Sequence, residues 1–239
     1  MISFAAANRL HDLSQRCIVN YHHVENPRFR RYCQEARQFL ALVGDAALDD
    51  EWLDLTRTLK RYRFDHAAAP LAFDDPEVRS RLEPAALRQA VALAKVTYPH
   101  LTDLMGSTID LLLALLACGD SPLLGPVESL VLSSDAENMA IMLAESRLVE
   151  PTRMALALHS WARGLDVITA AAARGPQRYE RLILVGNAQW FPDHVFSAPR
   201  VAAIDVVTYA WLSGKWYPEP AFLATGTDIS VPRAGMVQK

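Results

Sequence analysis

Two apolar runs near the carboxyl end of the chain constrain its fold more than any other feature. They are Arg181-Leu182-Ile183-Leu184-Val185-Gly186 and Ala203-Ile204-Asp205-Val206-Val207-Thr208-Tyr209. Both are rich in β-branched residues and apolar almost throughout, so a strand built from either carries apolar side chains on both faces. Such a strand has to be covered on both sides. A segment long enough for a helix separates the two runs, which predicts parallel strands joined by crossovers and hence an α/β sheet. Upstream, Ser129-Leu130-Val131-Leu132-Ser133-Ser134 is expected to be a further strand. A helix capped by Ser134 or Asp135 should follow it, with Met139, Ile141, Met142 and Leu143 on its buried side. Residues 152–158 form a second candidate strand, and 165–173 fit a helix or a strand.

The first half has a different texture. Residues 1–120 read as helical, with little glycine and with prolines at the segment boundaries. Pro84 suits the first turn of a helix over 85–97, where Leu87, Val91 and Ala94 recur at helical spacing and Pro99 stops the run. The next helix begins near Thr102 and is apolar around most of its circumference from Ile109 onward, which marks it as buried. Gly119 followed by Pro122 ends it. The expected architecture is therefore α/β: a helical region over 1–120, then a small parallel-sheet domain over 121–215. An extended or disordered tail is expected over 216–239.

Composition narrows the classes of function. The 239 residues are 51% hydrophobic and 21% charged with a formal net charge of -3, which is globular and offers no global basic field. Cys17, Cys33 and Cys118 make an odd count without metal or redox spacing, as expected in a reducing compartment. Charge interrupts the first residues too early for a secretory segment. The longest apolar run, Leu111 to Cys118, is eight residues, too short to cross a bilayer. A cytoplasmic protein without a membrane partner is expected.

No phosphate-binding loop, dinucleotide fingerprint, zinc-protease motif or nucleophile elbow occurs. No catalytic residue, metal or cofactor is therefore assigned. Cys17, His22, His23 and Cys33 are four soft ligands close together, but their spacing matches no zinc site, and packing is the preferred reading. Two basic clusters, Arg28, Arg30, Arg31 and Arg37, then Arg57, Lys60, Arg61 and Arg63, are interleaved with Phe29, Tyr32, Phe39, Tyr62 and Phe64. Arginine beside aromatics suits single-stranded nucleic acid, by phosphate pairing and base stacking. A solvated helix face balanced by nearby acids is the plainer alternative, and the acidic total favours it. Asp193-His194, after Trp190-Phe191-Pro192, is the most enzyme-like pair, although a turn that shapes the end of a strand explains it without chemistry.

The stretch 181–212 also carries an ordered pattern: a buried strand ending in Gly186-Asn187, then Trp190-x-Pro192, Arg200, and a last strand ending near Trp211. This resembles the end of the second RecA-like domain of helicase-like DNA translocases of the chromatin-remodelling type. With the leucine-rich helix and the strand expected at 129–134, the resemblance extends over 111–212. It implies a RecA-like fold and a nucleic-acid or helicase partner. The family carries several arginines between turn and strand. Here Arg200 alone remains, His194 and Ser197 stand where other polar residues occur, and the first RecA-like domain is absent. The resemblance thus implies a degenerate or partial module, of a kind found in bacterial antiphage systems.

Together these readings predict a non-catalytic module that binds nucleic acid or a helicase partner, with Arg28, Arg30, Arg31, Trp190, Asp193, His194 and Arg200 as its contacts. Two other classes remain open. One is a small-molecule enzyme, with its ligand at the carboxyl ends of the strands near Ser133, Ser134, Asp135, Gly186 and Asn187. The other is a structural protein that docks through the apolar helix at 111–116.

Overall fold

The computed structural model describes residues 16–43, 50–76, 82–174 and 179–212. The tail expected at 216–239 lies outside the described residues. The fold is α/β, with a five-stranded, all-parallel sheet. Its strands are β1 (Ile18–Val24), β2 (Met139–Leu143), β3 (Asp166–Thr169), β4 (Arg181–Val185) and β5 (Ala203–Tyr209), in the spatial order β1-β5-β4-β2-β3. Two compact units result. Of the described residues, one unit holds the sheet, with 16–24, 67–70, 123–174 and 179–212; the other holds 25–43, 50–66, 71–76 and 82–122.

In the sheet unit, β2, β4 and β5 are buried almost end to end, as continuous apolar strands require. Ala140, Met142, Leu182, Leu184, Ile204 and Val206 form one face of the core, packed with Phe191, Val195, Phe196 and Val201. Two of those four, Val195 and Phe196, belong to α7 (His194–Ser197), the short helix between β4 and β5. From β2 the chain steps outward to β3 through α6 (Val149–Ala157), crosses back over β2 to β4, then continues away from it to β5. The direction of winding reverses between β2 and β4.

The helical unit contains α1 (Pro27–Val43), most of α2 (Asp50–Ala68), α3 (Pro84–Thr97) and α4 (Thr102–Leu116). Asn26 starts α1: its side-chain oxygen accepts a hydrogen bond from the Phe29 amide at 2.8 Å, and Pro27 fills the first helical position, where no donor is needed. Phe29, Tyr32, Ala36, Phe39 and Val43 then fall on one stripe and are buried, alongside Leu59 and Tyr62 of α2 and Met105, Ile109 and Leu112 of α4.

Several expectations need correction. Residues 18–24, read as part of a helical region, are β1. Its run Ile-Val-Asn-Tyr-His-His-Val is β-branched and aromatic, and it pairs in parallel with β5 from Ile18↔Ala203 to Val24↔Tyr209. The segment taken as the first strand belongs to helix α5 (Leu124–Leu132), while the helix expected to follow is strand β2. A short apolar run carries no period that separates the two states. Residues 152–158 lie largely in α6, where Thr152 and Leu156 point inward one turn apart. The ambiguous stretch 165–173 divides into β3 and a single 3-10 turn at Ala172–Arg174. One consequence bears on function. Ser133, Ser134 and Asp135 lead into the start of β2, so they lie at the amino edge of the sheet, opposite Gly186 and Asn187.

Candidate functional site

The turn after β4 is built around a glycine. Gly186 has φ +115, and a Cβ there would stand 2.8 Å from Cε3 of Trp190 and 3.3 Å from the Ala67 carbonyl oxygen. Both the backbone angle and the ring lying against it exclude a side chain. Asn187 locks the turn: its side-chain oxygen accepts from the Gln189 amide at 3.0 Å, and its Nδ2 donates to the Leu212 carbonyl at 2.6 Å. The half-buried Trp190 is thus set by the end of its own strand. At the end of β5, Tyr209 and Trp211 stack with ring centroids 4.5 Å apart.

Three of the residues singled out in the sequence meet at the next element. His194 opens α7, Asp193 precedes it, and Arg200 lies in the loop that leads to β5. Arg174, from the turn after β3, joins them. Its Nε donates to His194 Nε2 at 3.3 Å and its Nη2 lies 3.1 Å from His194 Nδ1, while Arg200 Nη1 donates to the Arg174 carbonyl at 3.1 Å. Burial, then the Arg174 and Arg200 charges, push the His194 pKa below its usual value, and Asp193 opposes them. Both arginines are exposed. Among the described residues neither forms an ion pair with a carboxylate. Two exposed guanidiniums, one on the His194 ring and one on the Arg174 carbonyl, make a local positive site able to take an oxyanion. Sequence reading missed Arg174, whose only signal was its position just past a short strand.

A second polar cluster was not anticipated. Asp205 is fully buried in β5 and accepts hydrogen bonds from Asn20 Nδ2 at 3.1 Å, His22 Nε2 at 2.9 Å and Arg181 Nε at 2.5 Å. Burial alone would raise its pKa, but the bonds from His22, Arg181 and Asn20 and the Arg181 charge outweigh it, and the carboxyl sits at about 2. The cluster ties β1 and β4 to β5 across the sheet. Its one sequence signal was a carboxylate inside an otherwise apolar strand, a group that is buried only when paired. Of the four soft ligands Cys17, His22, His23 and Cys33, the cluster uses His22 alone. His22 serves Asp205, His23 stacks on Tyr21 with centroids 6.3 Å apart, and Cys17 is buried in the sheet core. Cys33 belongs to the helical unit. Burial pushes the Cys17 and Cys33 thiols up to about 12.

The basic clusters of the helical unit sit on solvated helix faces. Arg28, Arg30 and Arg31 are all exposed, but at about 100° per residue they fan around α1 rather than line one groove. Arg28 Nη1 donates to Cys118 Sγ at 3.0 Å and Arg31 Nε to Glu35 at 2.9 Å. On α2, Arg57 and Arg61 reach Asp54 and Asp65, each at 3.6 Å. Four of the five interleaved aromatics are not stacking platforms, and the fifth, Phe64, is half-buried. Phe29, Tyr32 and Phe39 are 0% exposed and Tyr62 1%, because the helical period that turns the arginines outward turns these rings into the core.

No family model, curated protein or solved structure matches the chain.

Proposed function

We propose that this chain is a non-catalytic binding module on a RecA-like or Rossmann-like sheet, and that it takes the phosphate backbone of nucleic acid at Arg174, His194 and Arg200. The observation that carries the proposal is a pair of neighbouring exposed guanidiniums, Arg174 on the His194 ring and Arg200 on the Arg174 carbonyl, with no ion-pairing carboxylate among the described residues. An anion relieves the repulsion that such an arrangement builds in. Over 181–212 the order strand, tryptophan turn, short helix, arginine and final strand is what supports the translocase resemblance, whereas 129–134, the opening strand that the resemblance needs, lies largely in helix α5. The missing phosphate loop leaves nucleotide hydrolysis to a helicase or translocase partner.

Fluorescence anisotropy with a labelled single strand, over a salt series, tests the proposal. The double variant Arg174→Ala/Arg200→Ala is expected to bind more weakly and to lose about 1.4 from the slope of log affinity against log salt, roughly 0.7 for each phosphate contact. Equal affinity and slope in parent and variant would refute it.

One observation favours a second reading. The winding reverses between β2 and β4, and ligands of open α/β sheets sit outside the carboxyl ends of the strands at such a reversal. There Glu145 and Ser146 follow β2, and Gly186 and Asn187 follow β4. A small molecule that raises the melting temperature of the parent but not of Asn187→Ala would support this reading.

A further inference from the structure

Helix α4 contains a glycine that nothing in the fold calls for. Gly106 lies in the helix interior, where glycine weakens a helix relative to alanine. Its φ is not positive, so it uses none of glycine's conformational freedom. A Cβ there would meet nothing within 4 Å, so no close approach requires it either. What the missing side chain does is leave open the floor of a groove of about 620 Å³ between α1, α3 and α4, a volume suited to a small ligand.

The groove carries both signs of charge. Arg31 of α1 and Arg88 of α3 line it, with Asp103, Ser107 and Asp110 of α4. One wall is fixed internally, because Glu35 accepts from both Arg31 Nε and Ser107 Oγ. Arg88, Asp103 and Asp110 have no ion-pair partner among the described residues. The two aspartates stand on the same face of α4, two turns and about 10 Å apart along its axis, on either side of the Gly106 gap. Val91 and Leu111 add apolar surface.

We propose that this groove binds a small zwitterion of the amino-acid type with an apolar side chain. Arg88 takes its carboxylate, an α4 aspartate takes its ammonium, and the side chain lies over Gly106 against Val91 and Leu111. An unpaired cation and unpaired anions lining one groove suit a ligand that carries both charges, since each becomes a charge-assisted hydrogen bond.

Isothermal titration of the full chain with L-phenylalanine, L-leucine and L-methionine provides the test. At least one is expected to bind saturably. For L-phenylalanine, the single-charge analogues 3-phenylpropionate and phenethylamine should each bind at least tenfold more weakly. Arg88→Gln, a change at an exposed residue, should weaken binding at least tenfold, and Gly106→Leu should abolish it while circular dichroism reports a folded chain. Arg174→Ala/Arg200→Ala should leave it unchanged, which separates this site from the nucleic-acid reading. The proposal is overturned if none of the three amino acids binds at millimolar concentration, if the analogues bind as well as the zwitterion, or if Arg88→Gln binds like the parent.

Discussion

His66 should make the protein sensitive to mild acid. It is fully buried near the end of α2, with its ring 4.3 Å from that of Tyr62 and 5.3 Å from that of Phe73, and Phe29 edge-on at 6.5 Å. Neither ring nitrogen has a well-formed hydrogen bond. Burial drives its pKa from 6.5 down to about 3, against a weaker opposing effect of the Leu71 backbone. The unfolded chain therefore binds this proton more readily than the folded one. The stability involved is present in full above pH 6.5 and is lost as the pH falls from there towards 3. At about 1.4 kcal/mol per pH unit, the whole window amounts to about 5 kcal/mol, and the step from pH 7.5 to pH 5 to about 2 kcal/mol. Urea unfolding followed by circular dichroism at a series of pH values measures it. The variant His66→Phe keeps an aromatic ring among aromatic rings but cannot titrate. It is expected to shift stability by a similar amount at every pH and to remove about 2 kcal/mol of the parent's loss between pH 7.5 and 5. If parent and variant lose the same stability over that range, the ring is not held neutral by burial and the reasoning fails.

Two further perturbations test the sheet unit. Gly186→Ala places a Cβ 2.8 Å from the Trp190 ring at a φ of +115, and should cost about 2–4 kcal/mol in urea unfolding; a loss within 0.5 kcal/mol (about the scatter of an ordinary surface substitution) would mean that the turn yields freely. Asp205→Ala leaves Arg181, His22 and Asn20 without their common acceptor, and should cost about 3–5 kcal/mol at pH 7. Because the Asp205 carboxyl is held at about 2 against an ordinary 3.8, its contribution persists above pH 3.8 and is lost only as the pH falls from there to 2, below most of the window of His66. A variant as stable as the parent at pH 7 would show that the cluster contributes nothing net.

The amino-acid sequence alone determined those elements whose residues carry their own period or composition. β4 and β5 are legible as unbroken apolar, β-branched runs. Helices α3 and α4 follow from prolines at their starts and apolar spacing within them. The absence of phosphate-loop and nucleophile motifs was equally plain, because such motifs are local. Tertiary structure decided the rest, wherever the deciding partner is far along the chain. Met139–Leu143 is apolar in every direction, and only pairing with β3 and β4 makes it a strand. β1 owes its place in the sheet to β5, near the other end of the described chain. Asp205 is tolerable inside its strand because Asn20 and His22 arrive from 185 and 183 residues away. Phe29 and Tyr32 look like partners of the arginines beside them, yet neighbours on a helix point in different directions, and packing sent the rings inward and the charges outward. The Arg174 site and the groove over Gly106 have the same origin. Each draws side chains from separate elements, and no window along the sequence contains the crossovers and helix packing that bring them together.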